Sequence, residues 1–330
     1  MRAAIAVRMD ERDPLSGLEL TDRWPAPVPG PNQVRIRLAS TSVNMHDLWT
    51  LRGIGVRPES FPRILGCDIA GWDAEGKEVM VTGCFGDPDA GGGDETFDPE
   101  RSLVSEHLPG AFGEYTVVPT RNVIPKPEWL TFHQAGCLNV GWSTTYRMLF
   151  TRARAQPGER LLVQGAGGGV ATAAIAMARA AGLYVIATSR SETKRRRAIE
   201  IGAHEAVPIG QRLSAPVDLV VETVGAATWK HSLRCVRPGG RIVTAGATTG
   251  SDVPLELPRI FYPQVSIIGS TSATRAETLR MLQFMHAANL RPIVDSVYPL
   301  ERIRDAFRRA QDPDVFGNVV IDVRGVVTGI

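Results

Sequence analysis

The chain has 330 residues, too many for one ordinary hydrophobic core and suited to two domains. Its 37 basic and 35 acidic residues leave a net charge of +2 from well-mixed charges, with no basic stripe that would engage nucleic acid. The 4 cysteines are far apart and form no CxxC pair, which argues against a disulfide scaffold and a four-cysteine structural zinc site.

In chain order, the N-terminus MRAAIAVRMDERD turns charged before a signal-peptide core forms, and no run of about 18 apolar residues follows anywhere. Cytoplasmic, with no membrane partner, is the default expectation. Over the first 120 residues, short alternating runs such as Gln33 to Leu38 are separated by proline and glycine clusters such as Pro25 to Pro31, which is all-β character. The acidic, glycine-rich stretch Asp87 to Asp98 reads as a surface loop, and its acidic spacing does not fit an EF-hand. From about Pro157 strands and helices alternate. The spacing predicts strands at Leu161 to Gln164, Val185 to Thr188, Glu205 to Pro208, Val217 to Glu222, Arg241 to Ala245 and Val265 to Gly269. Helices are predicted at Val170 to Ala181, Glu192 to Ile201 and Thr228 to Val236, the last stopping at Pro238-Gly239-Gly240. Then come a helix Arg275 to Ala288, a strand Ile293 to Tyr298, a helix Leu300 to Ala310 and a strand Asn318 to Val323. The pattern is a doubly wound α/β unit with a mostly parallel sheet, set inside the chain.

The stretch Leu161 to Ala171, LLVQGAGGGVA, is an apolar strand running into four glycines and then an alanine-rich helix. Gly165, Gly167, Gly168 and Gly169 let the backbone turn tightly, and with Val170 they leave amides at the helix start free to hold a pyrophosphate. The spacing departs from a strict GxGxxG. The second strand ends in Thr188-Ser189-Arg190-Ser191, then Lys194 and three arginines, with no acid at the strand end and Glu192 shortly after it. An acid there would hydrogen-bond the ribose diol of NAD, whereas Ser189, Arg190 and Lys194 suit a 2′-phosphate, so NADPH is expected over NADH. Gly246 and Ser270 each follow a sheet strand at the edge where a dinucleotide rests.

Several further segments, in order, carry a resemblance: Val43-Asn44-Met45-His46-Asp47-Leu48-Trp49, Leu65-Gly66-Cys67-Asp68-Ile69-Ala70-Gly71, Gly141-Trp142-Ser143-Thr144-Thr145-Tyr146, Gly202-Ala203, Glu222-Thr223-Val224-Gly225, Gly269-Ser270 and Phe316-Gly317. Over nearly its whole length the chain resembles the medium-chain dehydrogenase/reductase superfamily, in particular its zinc-free, quinone oxidoreductase-like members. The resemblance implies a GroES-like domain from 1–122 and 271–330 around a Rossmann domain from 123–270, with the active site in the cleft between them. It also implies a homodimer, paired through an outer sheet strand for which Val265-Ser266-Ile267-Ile268 is the candidate.

Zinc members hold their catalytic metal with a cysteine where Asn44 stands here, a histidine where Cys67 stands, and a later cysteine near Val140. Valine cannot ligate and asparagine is a poor partner among soft ligands, so no metal is expected. Cys67 reads as an interior or cleft cysteine, and Asp68 as a hydrogen-bond acceptor that fixes backbone. The family's placement of substrate-side groups implies catalytic roles for Asn44 and His46 as hydrogen-bond or proton donors, and a pocket wall in Trp49. Thr144, expected near a helix start, would lie against the nicotinamide. Asn318 stands where the family often has lysine after Phe316-Gly317. The expectation is an NADPH-dependent reductase that passes hydride, without metal, to a small-molecule quinone or α,β-unsaturated carbonyl. Its rivals are a redox-neutral or cyclising biosynthetic enzyme and a non-catalytic NADPH-binding interaction protein.

Overall fold

The computed structural model describes residues 1–324; the end of the expected C-terminal segment, 325–330, lies outside them. Among the described residues two compact units are present, one of residues 1–140, 272–278 and 291–324, the other of 141–271 and 279–290.

The second unit is built on a six-stranded sheet, parallel throughout. Across it lie Glu205–Val207, Tyr184–Thr188, Arg160–Val163, Val217–Glu222, Val236–Thr244 and Ser266–Gly269. Their chain order across the sheet is 3-2-1-4-5-6, so the strand order reverses between Arg160–Val163 and Val217–Glu222. Ligands of such sheets sit beyond the strand ends at this reversal. The central strands read Leu-Leu-Val, Val-Ile-Ala and Leu-Val-Val because both faces are covered. The helix Gly169–Ala180 buries Ala171, Ala173, Ala174, Ile175, Met177 and Ala178, and its alanines allow close approach to the sheet. One strand departs from the sequence expectation. Val236–Thr244 begins five residues early and runs straight through Pro238-Gly239-Gly240, absorbing them in a register shift against Val217–Glu222. Proline and glycine here mark a sheet irregularity rather than a helix stop.

The first unit is mainly β. Its longest strand, Gln33–Val43, pairs antiparallel with Tyr115–Pro119 along its first half, with Ala70–Trp72 at its middle and with Asn318–Asp322 at its end. Asn318–Asp322 is in turn parallel to Val294–Pro299, with the helix Ile303–Gln311 between them in sequence. The closing segment therefore completes the sheet begun by Gln33–Val43. A three-stranded sheet of Leu18–Thr21, Ala3–Ala6 and Arg63–Ile64 closes the apolar core, where Phe112 meets Phe307 edge-on at 5.8 Å. The stretch Asp87 to Asp98 is only in part a surface loop. Glu95, Thr96 and Asp98 are buried, since Asp98 accepts the Asp87 amide and Glu95 accepts the Arg275 amide at the start of the helix Arg275–Ala287.

From Phe132 the chain is helical almost continuously to Arg152, with wide π turns at Leu138–Ser143 and Arg147–Arg152. Thr131 opens it as a capping box with Gln134. Thr144 thus lies inside a helical stretch and is 7% exposed, not at a helix start as its glycine neighbour suggested.

Candidate functional site

Each unit carries one cluster of the residues singled out above. In the second unit the strand Arg160–Val163 ends in Gln164, and the turn follows with Gly165 at φ +75° and Gly167 at φ +133°. A side chain at Gly165 would put its Cβ 2.6 Å from Val224 Cγ2, so close packing as well as backbone geometry demands glycine. Thr188 pins the turn: its Oγ1 accepts the Gly165 amide at 3.1 Å and donates to Gln164 Oε1 at 2.8 Å, while its carbonyl accepts the Ala166 amide. Gly168 is the N-cap, and the first helical bond runs from Thr172 N to Gly168 O. The amides of Gly169, Val170 and Ala171 therefore fall in the first turn, where no intrahelical acceptor exists and the helix dipole is positive. That is an anion cradle.

Buried Glu222 organises the neighbouring loop. Its carboxylate accepts the amides of Val224 and Gly225 and the hydroxyls of Thr228 and Ser232. Gly246 and Ser270 lie just beyond the ends of Val236–Thr244 and Ser266–Gly269, and Ser270 N donates to Thr244 O. At the second strand's end Ser189 is 5% exposed and its Oγ accepts the Ser191 amide, whereas Arg190 is exposed. Ser191 Oγ caps the next helix through Lys194 N. Arg195 was missed as a member of this turn: its Nη1 donates to the carbonyls of Ser189 and Arg190, fixing the turn from within the helix. An i to i+5 reach across a helix start leaves no mark in residue spacing.

In the first unit, Asn44 caps the helix Met45–Leu51. Asp47, fully buried, accepts the Asn44 amide on Oδ2 and the Gly66 amide on Oδ1, both at 2.8 Å. Burial, only partly offset by His46 and these amides, pushes its pKa up to about 6. One carboxylate thereby joins the two sequence motifs. A second does the same. Asp68 Oδ2 accepts Ser42 Oγ at 2.6 Å and Asn44 Nδ2 at 2.7 Å, and its Oδ1 accepts the Val140 amide at 3.0 Å. Asn44 Nδ2 also lies 3.3 Å from Ser42 O, so its donors face protein acceptors. Asn139 Nδ2 completes the cluster on Cys67 O.

His46 stands beside this network, with 22% of its side chain exposed. Its Nδ1 is 3.3 Å from Cys67 Sγ and its Nε2 is 3.2 Å from Glu106 Oε1. The facing Cys67 sulfur foremost, with hydrogen bonds to Cys67 and Glu106 and the charge of Asp47, outweighs burial and pushes His46 up to about 11. Burial holds the Cys67 thiol above its ordinary value, against the lowering influence of His46. The Cys67 sulfur raises His46 by its charge only as a thiolate; while burial keeps the thiol neutral, Glu106 and Asp47 are the groups whose charge favours the protonated ring. Trp49, half-buried, is one helical turn further on. Cys67 is 1% exposed, in the interior as expected. The two motifs already set it beside His46, whereas the approach of Glu106 from 60 residues away had no signal in the sequence.

His46, Asp47 and Cys67 place three potential metal-donor atoms within 4.8 Å of one another. They make a poor fit to zinc. Both Asp47 oxygens already hold backbone amides, and a zinc site takes three or four protein ligands of nitrogen, sulfur or carboxylate type. Asn44 presents an amide nitrogen already donating, and Val140 presents none.

Residues 30–128 match the family described as alcohol dehydrogenase GroES-like domain, and residues 169–287 match zinc-binding dehydrogenase. The quinone oxidoreductase of Mus musculus is 30% identical over 323 residues, covering 91% of this chain and 92% of that protein. An acryloyl-coenzyme A reductase of Sulfurisphaera tokodaii is 28% identical over 328 residues, covering 93% and 97%. A solved NAD-dependent alcohol dehydrogenase is 33% identical with a TM-score of 0.90, covering 98% and 100%. The chain belongs to the medium-chain dehydrogenase/reductase superfamily, with a GroES-like and a Rossmann-type unit. Within that superfamily it is related to the quinone oxidoreductase branch, and it is an oxidoreductase that uses a nicotinamide dinucleotide. No helix among the described residues is long and apolar enough to cross a membrane.

Proposed function

We propose that the chain is an NADPH-dependent reductase acting, without a metal, on a small quinone or α,β-unsaturated carbonyl compound. The observation that carries this reading is the substitution of a closed hydrogen-bond network for a metal-donor set. Asn44, Ser42 and the Val140 amide converge on Asp68, and His46, whose protonated form Glu106 and Asp47 favour, stands next to them. An isolated carbonyl needs a strong electrophile to accept hydride. A conjugated acceptor needs less, because charge develops on a remote oxygen that one positioned donor can neutralise.

Bound NADPH supplies the hydride to the electron-poor carbon. His46 gives its proton to the oxygen, or to the carbon conjugated with it, so that hydride and proton together complete a two-electron reduction. Asn44 holds the helix start and the Asp68 network in place, and Trp49 walls the acceptor. The glycine-turn amides of Gly167, Gly168, Gly169 and Val170 hold the pyrophosphate, Gly246, Ser270 and Thr144 border the nucleotide and nicotinamide, and Ser189, Arg190 and Lys194 take the 2′-phosphate. The absence of an acid at the end of Tyr184–Thr188 supports NADPH, although the NAD-dependent relative sets the contrary precedent.

A homodimer is part of the same reading. Ser266–Gly269 is an edge strand with Ile267 exposed, and the segment before it exposes Leu257, Phe261 and Tyr262.

The test is oxidation of NADPH and NADH by metal-depleted protein with quinone, enone and enoyl-thioester acceptors, following the acceptor as well. Acceptor-dependent NADPH turnover is expected. Cofactor binding with no turnover on any acceptor, or turnover only after zinc is returned, would sink the reading.

A further inference from the structure

Three neighbouring strands of the second unit end in a row of buried polar groups, Gln164, Thr188 and Glu222, and the helix Trp229–Cys235 sets His231 and Ser232 against them. Gln164 Nε2 lies 2.9 Å from His231 Nδ1 and 3.0 Å from Ser232 Oγ, and Ser232 Oγ lies 2.6 Å from Glu222 Oε2. His231 Nε2 lies 2.8 Å from the Gln211 carbonyl oxygen, with Cys235 Sγ at 3.3 Å. All of these side chains are buried, His231 being 4% exposed, so each hydrogen has to find its partner inside the protein.

Placing the hydrogens leaves one solution. Glu222 faces four donors, the Val224 and Gly225 amides and the Thr228 and Ser232 hydroxyls, so it accepts throughout. The Ser232 hydrogen is thereby committed, and its oxygen accepts from Gln164. At the other end Thr188 Oγ1 already accepts the Gly165 amide, so its own hydrogen goes to Gln164 Oε1. The Gln164 amide is therefore oriented from both sides, oxygen to Thr188 and nitrogen to Ser232 and His231. Its second hydrogen points at Nδ1, which has to be a bare lone pair. Nε2 then carries the ring hydrogen and donates it to the Gln211 carbonyl, which a bare Nε2 would repel. The geometry calls for a single tautomer of His231.

This chain of bonds joins two loops. One end is the Gly165 amide of the glycine turn, and the other is the pair of amides, Val224 and Gly225, held by Glu222. Gln164 is the link, and His231 makes its orientation unique. Without an acceptor at Nδ1 the amide turns over, Ser232 is drawn from Glu222 to the amide oxygen, and the amide nitrogen meets a Thr188 oxygen already engaged. We propose that Gln164 and His231 are positioning residues for the dinucleotide, holding the glycine turn in place against the Glu222 loop. The proposal rests on the reading of the glycine turn as the pyrophosphate cradle. Pyrophosphate is common to NADPH and NADH, so the effect falls on both alike.

The ring and the cofactor are read separately. Nitrogen-resolved NMR of the 15N-histidine-labelled wild type at neutral pH, with His231 assigned through His231→Asn, is expected to show hydrogen on Nε2 and none on Nδ1. Fluorescence titrations with NADPH and NADH follow in wild type, Gln164→Met, His231→Leu and His231→Asn, each below its melting temperature. Methionine and leucine keep bulk and remove the polar atoms, and each is expected to weaken both dinucleotides about fivefold or more, by equal factors. Asparagine places its Oδ1 where Nδ1 stood, so His231→Asn recovers most of the affinity that His231→Leu loses. A hydrogen on Nδ1 in wild type overturns the proposal without any variant having to fold. Unchanged affinity in Gln164→Met and His231→Leu overturns it too, as does a loss confined to NADPH or an asparagine variant no better than the leucine one. Absence of turnover, or a preference of the wild type for NADH, would overturn the function proposed above and leave the tautomer and these binding ratios as they are.

Discussion

Replacing Gly165 by alanine tests whether the glycine turn is built by two separable constraints. The first is backbone: at φ +75° an L-residue costs about 1 to 2 kcal/mol more than glycine. The second is contact. The new Cβ would meet Val224 Cγ2 at 2.6 Å, and Val224 cannot withdraw, since its amide is held by Glu222 and its carbonyl by Thr249. A stiff β-branched side chain on a pinned backbone makes this an overpacking cost of about 1 to 3 kcal/mol. Gly165→Ala should therefore lose about 2 to 5 kcal/mol in urea denaturation and weaken NADPH binding, because the amides beyond the turn shift with it. In a Val224→Ala background the contact disappears, and only the backbone cost of about 1 to 2 kcal/mol should remain. An equal loss in both backgrounds refutes the contact argument. No loss in either refutes both constraints.

Arg190→Ala is expected to weaken NADPH binding about tenfold or more while leaving NADH binding nearly unchanged, read by fluorescence titration; equal losses would remove the phosphate assignment. His46→Ala should lower kcat about a hundredfold with the NADPH dissociation constant near wild type, and unchanged turnover in steady-state assays would count against the donor. Asp322, buried between His133 at 2.7 Å and Arg324 at 2.6 Å, resists the upward push of burial and is held down at about 2 by these partners. Its lowered value means a stabilisation of roughly 2 kcal/mol that is present above the unfolded value near 3.8 and lost as pH falls toward 2. Urea midpoints of Asp322→Asn at pH 7 and pH 3 should differ less than those of wild type, and parallel pH responses would contradict this.

The doubly wound sheet was legible because both of its signals are local. Buried parallel strands write continuous apolar runs, and the helices between them write caps and glycine stops, as at Ser191 and Gly202. Val236–Thr244 was mistimed because Pro238-Gly239-Gly240 usually ends an element, whereas a parallel partner can absorb those residues as an irregularity. The helical stretch around Thr144 was missed since wide π turns blur the 3.6-residue period and Gly141 imitates a boundary. Asn44, His46 and Asp68 could be picked from their motifs, but their wiring could not. The partners of Asp68 come from two separate segments, 42–44 and 140, and Glu106 reaches His46 from a loop whose composition marks only exposure. Side-chain geometry across such separations is set by the folded sheet and has no period to read.

The Asp68 network has a consequence for how this chain can change over time. Its three donors come from Ser42, Asn44 and the Val140 backbone, and the carboxylate that receives them is 1% exposed. A cysteine at position 44 alone would remove one donor and leave a buried anion short of partners, a loss that buried charge tolerates poorly. Regaining a metal-donor set would require Asn44, Cys67 and Val140 to be replaced together, with Asp68 re-paired in the same step. Only the change at Asn44 takes a side-chain donor from Asp68, since Val140 gives its backbone amide, so position 44 is where the cost of such a change is concentrated.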